Sequence, residues 1–253
     1  MVPVREAGGA ARVAAAAGMG SVVVVRIVIA GAHGRIARLL GARLSTAGHE
    51  VVGLVRNPDH LPDLAADGVH GTVRDLESSP VATLAADLAG ADAVVFAAGA
   101  GPGSGTARKD TVDRAAAVLL ADAAESAGVR RYLLLSSMGV ESVRGGAVPD
   151  GVDDVFLAYL RAKLAAEDAV RARSGLDVVV LRPGALTDDP PAGTVSLRPS
   201  VGRGSVPRAD VAAVCAVLLL RPPSVPAGGV VTELVGGDVP VEDAVADPAS
   251  FGG

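Results

Sequence analysis

The apolar positions of this chain fall into short β-branched runs separated by longer stretches of helical spacing. Residues 22–29 read VVVVRIVI, the pattern of a strand buried on both faces. Gly31 and Gly34 interrupt it, and from Arg35 onward Ile36, Leu39 and Leu40 return to one side at helical spacing. Residues 50–55 predict a second strand, 58–67 a short helix and 69–73 a third strand. A helix over 80–88 leads to a fourth strand at 93–96. A helix over 109–126 places Val112, Ala116, Leu119, Leu120 and Ala123 on its buried side and stops at Gly128. Strand five is predicted at 132–135, a long helix at 155–173 and strand six at 178–181, with an irregular stretch at 138–154. Beyond Ala185 the pattern thins to a strand near 195–198, a helix over 210–220 with Asp210 as its cap, and a strand at 230–235. Polar residues, proline and glycine fill the tail after Gly236.

Strands alternating with helices predict an α/β fold, a doubly wound parallel sheet with helices on both faces. The expected strand order is 3-2-1-4-5-6, followed by a small C-terminal extension. Residues 21–253 then form one domain, whose substrate side is built by 138–154 and 185–236. Residues 1–20 are rich in Ala and Gly and are expected to be a disordered extension. Met19, just before the first strand, marks an alternative start. Arg5 and Arg12 interrupt any hydrophobic region there, which argues against a signal peptide.

Composition narrows the function. Half of the 253 residues are apolar. Mean hydropathy is +0.43, yet no uncharged run approaches the roughly 18 residues of a membrane span. A net charge of −5 argues against a nucleic-acid partner, which requires clustered base. The single cysteine, Cys215, lies in an apolar helical run and reads as buried packing. His33, His49, His60 and His70 show no metal-ligand spacing, so no metal is expected. These features fit a cytoplasmic protein acting on a small molecule, and they are compatible with a homodimer without fixing the oligomeric state.

Strand, glycine turn and helix in succession form the opening of a dinucleotide-binding unit. Gly31 permits the tight turn, Gly34 allows close approach of a pyrophosphate at the helix N-terminus, and Ala37 lets helix pack on strand. About twenty positions later, where NAD-preferring folds carry an acid, stand Arg56 and Asn57. A guanidinium there suits a 2′-phosphate, with Arg35 as a second donor, so NADP(H) is expected ahead of NAD(H). The bland alternative is a solvated arginine at a strand end. Asp75 and Leu76 would lie by the adenine, while Ala97, Ala98 and Gly99 leave room at the end of strand four. The loop GAGPGSG at 99–105 lacks a following G-K-[ST] and is not a P-loop; a flap or a plain connection fits it better.

Tyr159 and Lys163 stand four apart on the long helix and share a face. An ammonium near a phenol favours the phenolate, and such a pair can relay a proton while a nicotinamide exchanges hydride. Ser137, at the end of strand five, could hold the reacting oxygen.

GAHGRIA, the Arg56 turn, Asp75-Leu76, AAGAGPGSG, LLLSSMGVES, YLRAK, LRPGALTDDP and PRADVA occur in this order over residues 22–245. Together they resemble the atypical short-chain dehydrogenase/reductase family, most closely its NAD(P)H-binding, epimerase/dehydratase-like branch. The resemblance implies a Rossmann fold and a triad of Ser137, Tyr159 and Lys163. It gives Lys163 the further task of holding the nicotinamide ribose, and it sets Pro183 and Gly184 against the nicotinamide. Gly31, His33, Gly34, Arg35, Ile36, Arg56, Asp75, Leu76, Ala97, Ala98, Gly99 and Ser136 complete the candidate cofactor contacts. Many catalytic relatives carry an asparagine in the helix before strand five, where this chain has Asp113. The leading expectation is an NADP-dependent reductase of a small carbonyl or other reducible compound. The alternatives are a non-catalytic NADP(H) redox sensor and a sugar-nucleotide epimerase or dehydratase. The last normally needs a substrate domain of about 100 residues or more, for which the segment after Gly184 leaves little room.

Overall fold

A computed structural model describes residues 12–14, 22–101 and 105–252. At its centre is strand β1 (Arg26–Ala30), whose Ile27, Val28, Ile29 and Ala30 have no exposed surface. It pairs in parallel with β2 (Glu50–Val55) on one side and β4 (Ala93–Phe96) on the other, so both faces must be apolar. Outward from these lie β3 (His70–Val73) beyond β2, and β5 (Arg131–Leu135) and β6 (Asp177–Pro183) beyond β4, all parallel. This is the expected 3-2-1-4-5-6 order. The sheet continues past β6 through β10 (Val230–Gly236), which is parallel to it, to antiparallel β8 (Thr194–Arg198) and the short β11 (Val239–Pro240). A separate parallel pair, β7 (Ala185–Thr187) with β9 (Ser205–Pro207), follows the end of β6.

Two helical layers cover the sheet. On one face α1 (Arg35–Thr46) brings Ile36, Ala37, Leu40 and Leu44 against Val211, Val214, Cys215 and Leu218 of α6 (Arg208–Leu220). Leu39, expected on the buried side of α1, is exposed, because Gly41 and Leu44 turn the covered stripe away from it. The short α2 (Leu61–Ala66) adds Leu64 to this layer. On the other face lie α3 (Val81–Asp87), α4 (Ala116–Ala127) and α5 (Asp154–Arg171), with Leu84, Leu120, Ala166 and Val170 buried among them. Gly128, with φ of 73°, closes α4, and the Asp153 carboxylate caps α5 by accepting the Phe156 N–H at 2.8 Å.

Several local expectations are corrected. The strand predicted over 22–29 breaks at Val25, whose N–H donates to His49 Nδ1 at 3.3 Å. Val22–Val24 instead pairs antiparallel with Arg12–Ala14; the rest of the proposed N-terminal extension lies outside the described residues. The helix before β5 begins with a short turn, Thr106–Arg108, and a π-helical segment, Lys109–Ala115. Asp210 does not cap α6. It is buried in the first turn, and its carboxylate accepts the Ala192 and Gly193 N–H groups at 2.8 and 3.0 Å, tethering the entry to β8. The tail after Gly236 folds as β11, α7 (Val241–Ala246) and a 3-10 turn at Pro248–Phe251. Among the described residues no helix is long and apolar enough to cross a membrane.

Candidate functional site

The carboxyl ends of β1, β2, β3 and β4 open onto a cleft of about 310 Å³, where open α/β sheets bind their ligands. Its floor is the glycine turn. Gly31 has φ of 78°, and a Cβ there would lie 2.5 Å from Ala98 Cα, so only glycine fits. The N–H groups of Gly31 and Ala32 both donate to Leu54 O, at 3.1 and 3.2 Å, fastening the turn to β2. Gly34 is the N-cap of α1 and no side chain caps that helix, so its first N–H groups suit an anion. The Ile36 side chain goes into the core, leaving only its backbone for this role. His33 lines the cleft with its ring stacked on His60, centroids 3.6 Å apart, and its Nε2 lies 2.7 Å from Asp63 Oδ2. Ala97, Ala98 and Gly99 line the cleft beside the glycine turn, with the Ala98 backbone against Gly31.

At the far end Arg56, Asp75 and Leu76 line the same cleft with Arg74, Glu77 and Arg108. Asp75 accepts the Glu77 N–H at 3.0 Å and the Ser78 hydroxyl at 3.1 Å, so its carboxylate shapes the loop after β3. Arg35 does not join Arg56. Its guanidinium pairs with Asp188, which also holds Arg208 at 2.8 Å, on a different part of the surface.

The residues with proton chemistry gather around α5. Lys163 is buried, donates to Leu135 O at 3.1 Å and lies 3.4 Å from Asp113 Oδ1. Asp113 has no exposed surface; its Oδ2 accepts the Ala100 N–H at 3.2 Å, while its Oδ1 has no hydrogen bond. Lys163 Nζ is 5.9 Å from the Tyr159 ring centroid, and Lys109 Nζ is 5.5 Å from it. Lys109, also buried, donates to Gly101 O at 2.9 Å and so ties the glycine-rich loop to this cluster. Phe156, half exposed, stacks on Tyr159 with centroids 5.7 Å apart.

The two serines part company. The Ser137 hydroxyl donates to Met138 O at 3.0 Å at the carboxyl edge. The Ser136 hydroxyl is buried and donates to Glu167, a fully buried carboxylate that also accepts Arg182 Nε at 3.1 Å on both oxygens. Its side chain therefore serves this buried network. Pro183 O accepts the Met138 N–H at 2.9 Å, and a Cβ on Gly184 would lie 2.4 Å from Gly204 O. Both are locked into the edge where β5 and β6 end.

Sequence reading passed over Lys109, Glu77, Arg108 and Thr111. A signal existed for the first: Lys109 and Asp113 stand four apart, as Tyr159 and Lys163 do, and the π-helical turn directs both inward. Nothing comparable marked Glu77, which reaches Arg56, Arg108 and Thr111 from separate segments. No group of three or more His, Cys, Asp or Glu able to hold a metal occurs among the described residues.

The uncapped helix and the glycine turn suit the diphosphate of a dinucleotide. Comparison with known proteins agrees. Residues 31–222 match the NAD(P)H-binding family. YhfK of Bacillus subtilis, named an uncharacterized sugar epimerase, is 31% identical over 189 residues, covering 74% of this chain and 85% of that protein. A solved structure from Bacillus halodurans, provisionally named an NAD-dependent epimerase/dehydratase, is 34% identical, with 88% of this chain and 99% of that one covered and a TM-score of 0.77. ChuY from Escherichia coli O157:H7, described as an anaerobillin reductase, is 26% identical over 85% of this chain and 98% of its own, with a TM-score of 0.69. Motif, sheet order and these matches converge: the chain belongs to the NAD(P)H-binding branch of the atypical short-chain dehydrogenase/reductase family.

Proposed function

We propose that this protein is an NAD(P)-dependent oxidoreductase that reduces a small carbonyl or other reducible compound, with NADPH preferred over NADH. The observation that carries this reading is Tyr159, half-buried on α5 with the ammonium groups of Lys109 and Lys163 5.5 and 5.9 Å from its ring centroid. Bound cofactor would supply the hydride. The chain's own part is the proton: the Tyr159 hydroxyl gives one to the substrate oxygen, with two ammonium groups beside its ring. Lys163 is held for this by Leu135 O and Asp113, and Ser137 is the candidate second donor to the substrate oxygen. Phe156 stacks on Tyr159 and, with neighbouring Val155, is exposed. That surface favours a substrate with an apolar face. The name of ChuY is in keeping with reductase chemistry on this scaffold.

The preference for NADPH rests on Arg56 at the end of β2, where an NAD site would place a carboxylate. Titration with NADPH and NADH, followed by nucleotide fluorescence, tests it. NADPH should bind more tightly, and Arg56→Ala should weaken it about tenfold or more. Carbonyl compounds are then screened for turnover. Tyr159→Phe should lower turnover by about 10²–10⁴-fold while leaving nucleotide affinity within about twofold.

A second reading, a binder that senses the NADPH/NADP ratio, is favoured by one contact. Asp113 lies 3.4 Å from Lys163 and offsets the charge that would act on the phenol. Tight NADPH binding without turnover on any carbonyl, unaffected by Tyr159→Phe, would establish that reading instead.

A further inference from the structure

Arg56 explains one cation at the adenosine end of the cleft, but the structure places a second cation there with a carboxylate between them. Glu77 Oε2 accepts Arg56 Nη1 at 3.0 Å and Arg108 Nη2 at 2.9 Å, and its Oε1 accepts the Thr111 hydroxyl at 2.6 Å. These donors come from the end of β2, from the turn Thr106–Arg108 and from the π-helical segment. Thr111, then Arg108 and Arg56, hold the Glu77 carboxyl below the usual carboxylate range, so it is ionised at neutral pH. Arg74 lines the same cleft but is engaged elsewhere: its Nε and Nη2 donate to Asp87 at 2.5 and 2.9 Å. The cations gathered on Glu77 are therefore Arg56 and Arg108, both partly exposed to the cleft.

We propose that Glu77 is a built-in competitor for the 2′-phosphate of NADPH, and that Arg108 is a second arginine recognising that phosphate. This rests on the NADPH reading above. A carboxylate and a phosphate monoester offer similar acceptor oxygens to guanidinium groups, and the phosphate carries the greater charge. Glu77 keeps Arg56 and Arg108 converged on one point, which preorganises the site. It also opposes the phosphate, through direct competition for the arginines and like-charge repulsion. Toward NADH the sign reverses, because an ionised carboxylate can accept the ribose 2′-hydroxyl. The acid missing from the end of β2 is thus supplied by the loop after β3. Glu77 sets the ratio of NADPH to NADH affinity, and Arg108 adds to its NADPH side.

Fluorescence titration of NADPH and NADH against wild type, Glu77→Gln, Arg108→Ala and Arg56→Ala tests this, with 2′,5′-ADP and 5′-AMP as probes that lack the nicotinamide. Glu77→Gln should tighten NADPH and 2′,5′-ADP about tenfold and leave NADH unchanged or weaker. Arg108→Ala should weaken NADPH and 2′,5′-ADP about tenfold while NADH and 5′-AMP stay within about twofold. The inference is overturned if Glu77→Gln leaves the NADPH-to-NADH ratio unchanged or lowers it, or if Arg108→Ala affects both nucleotides equally. Should Glu77→Gln loosen the loop, Thr111→Val provides a second arm. It keeps every charge, leaves both arginines on Glu77 Oε2 and frees Oε1 to accept a ribose 2′-hydroxyl, so it should tighten NADH and lower the ratio, and a raised ratio would overturn the inference. If wild type prefers NADPH and loses it with Arg56→Ala, yet is indifferent at 77 and 108, only this inference fails. If wild type binds neither nucleotide, the functional reading fails.

Discussion

Gly31 answers to two constraints at once, a φ of 78° and an approach to Ala98 that no Cβ can survive. The left-handed conformation alone costs a non-glycine residue about 1–3 kcal/mol, and the clash with Ala98 backbone adds to it. Gly31→Ala should therefore destabilise the protein by at least about 2 kcal/mol, read from urea unfolding, and weaken nucleotide binding in the same variant. An unchanged urea midpoint would show that the turn relaxes more readily than its geometry implies. Such residues were legible in the sequence because their signal is local: Gly31 and Gly34 share one turn, and Tyr159 and Lys163 share one helix face. Glu77 and Arg108 were not, because no spacing within one element relates a loop after β3 to a turn before the π-helical segment. Asp210 shows the converse. Its position looked like a cap, but tertiary contacts claimed the carboxylate for Ala192 and Gly193.

At the scale of elements, the end of β6 is joined to α5 and to the 3-10 segment Val140–Gly146 by charge. Arg182, buried at the end of β6, donates to Glu167 of α5 and, through Nη2 at 2.6 Å, to Glu141 of that segment. Burial opposes the charge on Arg182, but the two carboxylates outweigh it and its pKa is raised. Glu141 is pulled down from 4.5 to about 2, first by Arg144 and then by Arg182. A carboxyl group depressed in the folded state stabilises the fold above its unfolded pKa and loses that contribution as pH falls through the folded value. Glu141→Gln should thus be less stable than wild type above pH 4.5 and converge with it toward pH about 2, in chemical denaturation repeated across pH. A constant difference down to the lowest pH would exclude this origin. Because Glu141 is half exposed, the effect should shrink in high salt. Strands β1, β2, β4, β5 and β6 were legible because burial makes them nearly continuous apolar runs, whereas the edge strand β3, with no buried residue, was placed by the alternation around it. The two- and three-residue strands after β6 were not, since so few residues carry no period. The last helix did leave a trace, with Val241, Ala244 and Val245 buried at helical spacing, obscured by the glycine and proline around it.

For the whole molecule, the core on the α1–α6 face is a probe of how cooperatively the sheet holds together. Its α6 carries Cys215, the only cysteine in the sequence, packed with Val211, Val214 and Leu218 against α1 and the sheet. Burial pushes this thiol up to about 12, so it is neutral at ordinary pH and out of reach of alkylating reagents. The nucleotide cleft lies at the carboxyl ends of the strands, and its residues do not include Cys215. A ligand there can slow labelling only by stabilising the folded state as a unit. If α1, α6 and the nine-stranded sheet open together, the labelling rate under fast reclosing follows the population of the open state. NADPH at about 100 times its Kd should then suppress labelling about 100-fold, the equivalent of about 2.7 kcal/mol. Mass-spectrometric alkylation over a time course, with and without NADPH, gives the ratio directly. A rate indifferent to NADPH would mean that α6 opens alone. The C-terminal extension would then be a separate cooperative unit attached to a more stable nucleotide-binding half.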